Sequence, residues 1–248
     1  MYQPLHFVQF PKPRAMSVNM MPFIMGDPAT IPEDLHGYLP LIAMCDSILP
    51  GKVAYLTVTE GRVQGGTTQR RGGVHTEAGN GSFWSAFGSG FTFGGGSIGR
   101  FGGGTSILEE LAELRRVSKE DLTYDQRQRL EYLQGILQDG HCDRKDGVYM
   151  ASTNGACRVW DSTTTDVDAL GALKKEPLGV ASKMEPSKLY WMTDRTPHEA
   201  LPSVFSEDRQ FFRVVSNKLG GWWEKHCTPN PLGILPDCRV LRGSKFSI

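Results

Sequence analysis

The sequence predicts a mainly β chain, an antiparallel sandwich or barrel that carries a two-helix insertion. Three observations predict it. Short runs of alternating or β-branched residues recur, bounded by Gly, Pro and Asp. They do not alternate regularly with helices, as a parallel sheet would require. The helical signal is concentrated mainly in one place.

The strand candidates are 53–59, 73–77, 82–93, 148–152, 157–160, 188–193 and 209–216. Between them, Ser106 and Glu109 form an S-x-x-E capping pattern just before Ile107, Leu108, Leu111 and Leu114 line up at helical spacing. Thr123 and Gln126 repeat the pattern ahead of Leu130, Leu133 and Leu137, and Gly140 offers a stop. A further helix is expected over 32–44, packed beneath the sheets. The organisation that follows is one domain over 1–248. Residues 1–50 form an N-terminal support segment, 51–105 and 147–248 the β core, and 106–140 the helical insertion.

The glycine-dense segment 79–104 is interleaved with Phe83, Trp84, Phe87, Phe91, Phe93 and Phe101. It lacks both lysine and the Gly-x-x-x-x-Gly-Lys-Ser/Thr spacing of a phosphate loop. It reads as a strand with a glycine-rich flap, in which aromatic side chains supply packing area.

Charge narrows the partners. Lys plus Arg and Asp plus Glu both number 27, so the formal net charge is zero and no basic stripe is visible. Neither nucleic acid nor an anionic membrane is expected as a partner. No run approaches the roughly 18 apolar residues of a membrane span. Pro4, Pro11, Pro13 and Pro22 break up the N-terminal region, which lacks the apolar stretch of a secretory signal. The five cysteines (Cys45, Cys142, Cys157, Cys227 and Cys238) show no C-x-x-C spacing, which argues against a zinc ribbon or a thioredoxin site. Reduced thiols and a cytoplasmic location are the expectation.

Two histidines carry a carboxylate two positions on: His75-Thr76-Glu77 and His141-Cys142-Asp143. On a strand, residues i and i+2 share a face, so such a pair can grip one metal from one side. A third ligand completes the 2-His-1-carboxylate triad that leaves positions open on Fe(II). The run from Lys188 ends in Thr193-Asp-Arg-Thr-Pro-His198-Glu199, an apolar strand and polar turn delivering a histidine. Arg209 and Arg213 follow on the next strand. A keto acid chelating iron at one end needs such a guanidinium for its far carboxylate.

The 188–199 stretch resembles the corresponding segment of prolyl hydroxylase-type Fe(II)/2-oxoglutarate-dependent oxygenases, in which an apolar strand runs into Ser-Asp-Arg-x-x-Pro-His-Glu. Here Thr193 replaces the serine and the turn is one residue shorter. Arg209 falls two residues later than the family's 2-oxoglutarate arginine. Upstream, Tyr55–Thr59 and His75-Thr76-Glu77-Ala78-Gly79-Asn80 are similar to the family's strand and His-x-Asp-Asn element, with Glu77 in place of Asp. The similarity covers roughly a third of the chain.

The resemblance implies a double-stranded β-helix (a jelly-roll or cupin-like barrel) holding Fe(II) on His75, Glu77 and His198. It implies 2-oxoglutarate as co-substrate, held by Arg209 with Arg213 as second choice, and places Tyr55 among the co-substrate-binding residues. The expected activity is a dioxygenase that uses molecular oxygen to hydroxylate or desaturate a small-molecule or peptide substrate. With Glu77 filling the third ligand position, a halide has no vacant protein site. Nothing in the sequence indicates the substrate or the oligomeric state.

Rival readings remain at this level. His141 and Asp143 could supply the ligands, although their polar surroundings read as a loop. A cupin-type metalloenzyme would use no keto acid, and a non-catalytic jelly roll would use no metal. Of the other candidates, Arg70 and Arg71, just ahead of the His-x-Glu element, could meet an acidic substrate, although a solvated turn is the default, and His226 beside Trp222 and Trp223 reads as a packing or surface residue. Trp160-Asp161 could line a cleft or simply pack.

Overall fold

The computed structural model describes residues 1–77, 117, 123, 147–168, 171–177, 179–216 and 221–242. The chain divides into two compact units, Met1–Ser97 with Lys145–Ile248, and Ile98–Arg144. The expected strand at 82–93, the glycine-rich flap, the capped helices of 106–138 and the His141/Asp143 pair lie outside the described residues.

The described part is mainly β and its two larger sheets are antiparallel. Its strands are β1 (Tyr2–Phe7), β2 (Ser17–Ile24), β3 (Val53–Val63), β4 (Val148–Ser152), β5 (Cys157–Trp160), β6 (Ala181–Lys183), β7 (Lys188–Met192), β8 (His198–Ala200), β9 (Glu207–Val215), β10 (Trp222–Trp223) and β11 (Val240–Leu241). A six-stranded sheet runs β1-β7-β4-β9-β3-β2, a three-stranded sheet β6-β5-β8, and β10 and β11 form a small parallel pair. From β3 to β9 the chain crosses repeatedly between the two larger sheets, with β3, β4, β7 and β9 in one and β5, β6 and β8 in the other.

Strands expected from alternation form where expected, with β4 and β5 matching their ranges and β3, β7 and β9 shifted at their ends. Over 73–77 there is no full strand: His75 makes a single-residue bridge. The N-terminal segment contributes more than support, because β1 pairs with β7 and β2 with β3. Pro4 and Pro22 argue against strands there. Both strands lie at the outer edges of the six-stranded sheet, where a residue without an N–H is tolerated.

Alternation sorts side chains into two cores. Leu56, Val58, Tyr149, Ala151, Leu189, Trp191, Phe212 and Val214 face one way. There they meet Leu35 and Tyr38 of the 3-10 turn Glu33–Tyr38, and Leu41 and Ile42 of the short helix α1 (Leu39–Ala43). The expected helix over 32–44 is therefore a 3-10 turn running into one α turn, packed on the sheet. Tyr55, Val148, Met150, Tyr190, Met192, Phe211 and Val215 face the other way, toward Cys157 and Val159 of β5, so a second core lies between the two sheets. Among the described residues no helix is long and apolar enough to cross a membrane.

One polar group ties the first core together. Glu60 accepts from Tyr38 Oη at 2.6 Å, Gln210 Nε2 at 3.1 Å and the backbone N–H groups of Arg14 and Met16. Burial alone would push its carboxyl up; these four donors outweigh burial and hold it below its ordinary value. A depressed folded-state pKa means the contribution is present above the unfolded value and lost as pH falls through the folded one. Glu60→Ala is expected to lower stability by about 2 kcal/mol at pH 7 by urea denaturation, because Tyr38 and Gln210 lose a charged acceptor. The loss is expected to hold in mildly acidic solution and to shrink only as pH falls below the ordinary carboxylate value of 4.5.

Candidate functional site

The backbone sets the site. His75 and His198 exchange both backbone hydrogen bonds, His75 N–H to His198 O at 3.0 Å and His198 N–H to His75 O at 2.9 Å. Two residues paired in this way are direct cross-strand neighbours, and their side chains emerge side by side on one face. The imidazole centroids are 4.6 Å apart. On its other side β8 pairs with β5, with Val159 opposite His198, so the small sheet supports the pair. Sequence separates these histidines by more than a hundred residues; the antiparallel bridge makes them neighbours.

Each ring is fixed in the same way. His75 Nδ1 lies 2.8 Å from the carbonyl of Gly73, and His198 Nδ1 lies 2.9 Å from that of Thr196. A carbonyl can only accept, so Nδ1 carries the proton in both rings. Nε2 is then the ring atom left to face the shared space. Burial, with His198 close by, lowers the His75 pKa to about 4, which keeps that ring neutral at pH 7. A neutral imidazole with Nδ1–H on a carbonyl is the form that ligates metals through Nε2.

Glu77 shares the face. Its Oε1 is 3.7 Å from His198 Nε2 and 2.6 Å from Arg213 Nη1. Burial would raise this carboxyl, but the Arg213 guanidinium beside it, with help from His198, holds it well below the usual carboxylate range. Arg213 also reaches Thr57 Oγ1 on the neighbouring strand β3. His75 and His198 are thus neighbours, and Glu77 lies beside His198. They do not form a closed cage: among the described residues, no three His, Cys, Asp or Glu side chains stand at metal-holding distances. Glu77 Oε1 is instead paired with Arg213 at 2.6 Å. Two anchored imidazoles and a carboxylate held ionised are donor types that suit a divalent metal.

Arg209, Phe211 and Arg213 alternate onto the same face of β9. Arg209 is 1 % exposed. Its Nε donates to Ser152 Oγ at 2.8 Å and its Nη2 to Cys157 Sγ at 3.3 Å, while Nη1 is buried with no partner. Burial drives the Cys157 thiol pKa up despite the guanidinium beside it, so sulfur does not neutralise the arginine. Among the described residues no carboxylate pairs with Arg209. A buried guanidinium without a counter-ion is costly, and such cost is commonly met by a ligand.

Arg70, on the loop between β3 and His75, lies over the Phe211 ring at 5.1 Å, with Arg209 6.0 Å from the same centroid. Burial, together with the charges of Arg213 and Arg209, brings its pKa down to about 10 despite Glu77. It is not simply part of a solvated turn. Gln69 pins this loop to the sheet by donating to the carbonyls of Thr59 and Arg209.

The other candidates are placed elsewhere. Tyr55 is fully buried, and its hydroxyl accepts from Asp237 N–H at 3.0 Å and donates to Cys238 Sγ at 3.4 Å, which occupies it with the C-terminal segment. His226 lies in the turn after β10, where its carbonyl accepts from Asn19. Trp160 is buried beneath Arg158, which pairs with Glu199. Ser152, Cys157 and Thr57 contact the two β9 arginines and carry no signal in the sequence beyond strand parity; Arg70 was legible only as a cation ahead of the His-x-Glu element that could meet an acidic substrate. No protein-family model matches this chain, and no curated protein is significantly similar to it.

Proposed function

We propose that this chain is an Fe(II)- and 2-oxoglutarate-dependent oxygenase built on a double-stranded β-helix, with His75, Glu77 and His198 as iron ligands and Arg209 as the co-substrate clamp. The observation that carries the reading is one constellation. Two cross-strand imidazoles, each anchored through Nδ1, stand beside an ionised carboxylate, near a row that holds a buried arginine with no carboxylate partner among the described residues. The repeated crossing of successive strands between two antiparallel sheets supports the winding of a jelly roll.

In this reading the protein positions and excludes. The carbonyls of Gly73 and Thr196 orient the two rings. Ser152 and Cys157 aim the Arg209 guanidinium, leaving Nη1 for the far carboxylate of the keto acid. Met150, Val159 and Tyr190 of the inter-sheet core keep water out. Arg213 holds Glu77 ionised. Ferrous iron with 2-oxoglutarate and oxygen supplies the power to hydroxylate or desaturate a C–H bond, chemistry that no side chain here has alone. The substrate is a small molecule or peptide.

Anaerobic titration of the full chain with Fe(II) and then 2-oxoglutarate tests the reading. The expected result is one iron per chain and a visible metal-to-ligand charge-transfer band that appears only with the keto acid. Iron bound without any response to 2-oxoglutarate would turn the reading to a cupin-type enzyme. One observation favours a second reading: the Arg213–Glu77 pair is already complete without metal. If the group is only a polar network inside a non-catalytic jelly roll, no stoichiometric iron will bind.

A further inference from the structure

The site holds more positive charge than its proposed ligands use. At the Phe211 ring stand Arg70 and Arg209, with Arg213 two residues on along the same face of β9, and among the described residues one carboxylate, Glu77, is paired with Arg213 at 2.6 Å. In the proposed oxygenase, Arg209 takes the far carboxylate of 2-oxoglutarate and the near end goes to the metal. Arg70 is left over. Among the described residues no carboxylate pairs with it, and it shares one aromatic ring with another guanidinium. Like charges this close repel, and the loop does not relax outward because Gln69 fastens it to the carbonyls of Thr59 and Arg209. A guanidinium held over a ring keeps its in-plane N–H donors for an anion. Unlike Arg209 it is only half-buried, so a molecule arriving from outside can reach it.

We propose that Arg70 is the substrate-recognition cation of this site, and that the substrate is a small molecule bearing an oxyanion, a carboxylate or a phosphate. The oxyanion binds Arg70 at Phe211, which places the rest of the molecule toward His75, His198 and Glu77. This rests on the oxygenase reading for its chemistry. The anion site itself requires only the arginines.

The test uses the full chain with acetate and methylphosphonate as probes. With Mn(II) and 2-oxoglutarate bound, the probe methyl resonances are expected to broaden saturably. Arg70→Gln is expected to weaken probe binding by about five- to tenfold, as loss of a partly exposed charged donor does. Its 2-oxoglutarate affinity and melting temperature are expected to stay near wild type, and Arg70→Lys to recover part of the probe binding. Whichever probe binds more tightly names the oxyanion. Equal probe binding by wild type and Arg70→Gln, with 2-oxoglutarate bound normally, would overturn this inference and leave the oxygenase reading intact. So would an Arg70→Gln defect in 2-oxoglutarate binding as large as that of Arg209→Met. If neither metal nor keto acid binds, saturation-transfer spectra of the metal-free chain decide: Arg70-dependent binding keeps the anion site and removes the oxygenase beneath it.

Discussion

His75→Ala and His198→Ala are each expected to abolish stoichiometric Fe(II) or Mn(II) binding while leaving the melting temperature close to wild type. The loss is expected to exceed the roughly 10–100-fold that removing an outer-shell partner costs a metal site, because an inner ligand is deleted. Stability changes little because each ring's anchor is a single Nδ1–carbonyl hydrogen bond, while the backbone bridge between the two residues survives substitution. Glu77→Ala differs. It removes a ligand and also leaves Arg213 without its carboxylate, so both metal binding and stability fall. The stability cost is expected to stay below the roughly 3–5 kcal/mol of breaking a fully buried pair, since the Glu77 side chain is 23 % exposed. Metal analysis by mass spectrometry and thermal melts of the three variants separate the cases. Full metal occupancy in both histidine variants would remove the site from consideration.

Arg209→Met is expected to lose 2-oxoglutarate binding by about tenfold to more than a hundredfold, the equivalent of a charged, buried hydrogen-bonded contact worth about 1.5–3 kcal/mol. The same variant is expected to melt at or above the wild-type temperature in the absence of ligand. The reasoning is electrostatic. Arg209 holds a full charge at 1 % exposure on a hydroxyl and a thiol, with Nη1 unpartnered and no counter-charge among the described residues to offset its desolvation. Replacing such a group by an apolar side chain of similar length removes that cost. Gain in stability with loss of ligand is the signature of a residue kept for binding. Calorimetric titration of 2-oxoglutarate beside a thermal melt reads both. A large drop in melting temperature with undiminished 2-oxoglutarate binding would make Arg209 a structural residue instead.

Local pattern decided much of this protein. Alternation in β3, β4, β5, β7 and β9 was readable because each buries at least one full face, and burial imposes the period of two on the sequence. The same parity put Arg209 and Arg213 on one face of β9. Edge strands β1 and β2 were not readable, because a strand that pairs on one side only tolerates Pro4 and Pro22 and carries a weak pattern.

Pairing across the sheets belongs to tertiary structure alone. No local rule brings His75 opposite His198, or chooses which arginine meets Glu77. The bridge between 75 and 198 and the register of β9 against β3 and β4 decide both, through backbone hydrogen bonds that any side chain would permit. That register sets Arg213 opposite Thr57 and Met150, with its guanidinium on Glu77, and leaves Arg209 beside Ser152 with no carboxylate among the described residues. For Arg70 the sequence offered only a loop cation that could meet an acidic substrate; its place beside Phe211 was not legible, for the same reason. A loop arginine acquires meaning only when a sheet sets an aromatic ring and two other guanidinium groups beside it. The sequence determined which side chains could carry chemistry; the pairing of distant strands decided which of them meet, because contact between residues far apart in the chain is fixed by sheet register and not by local spacing.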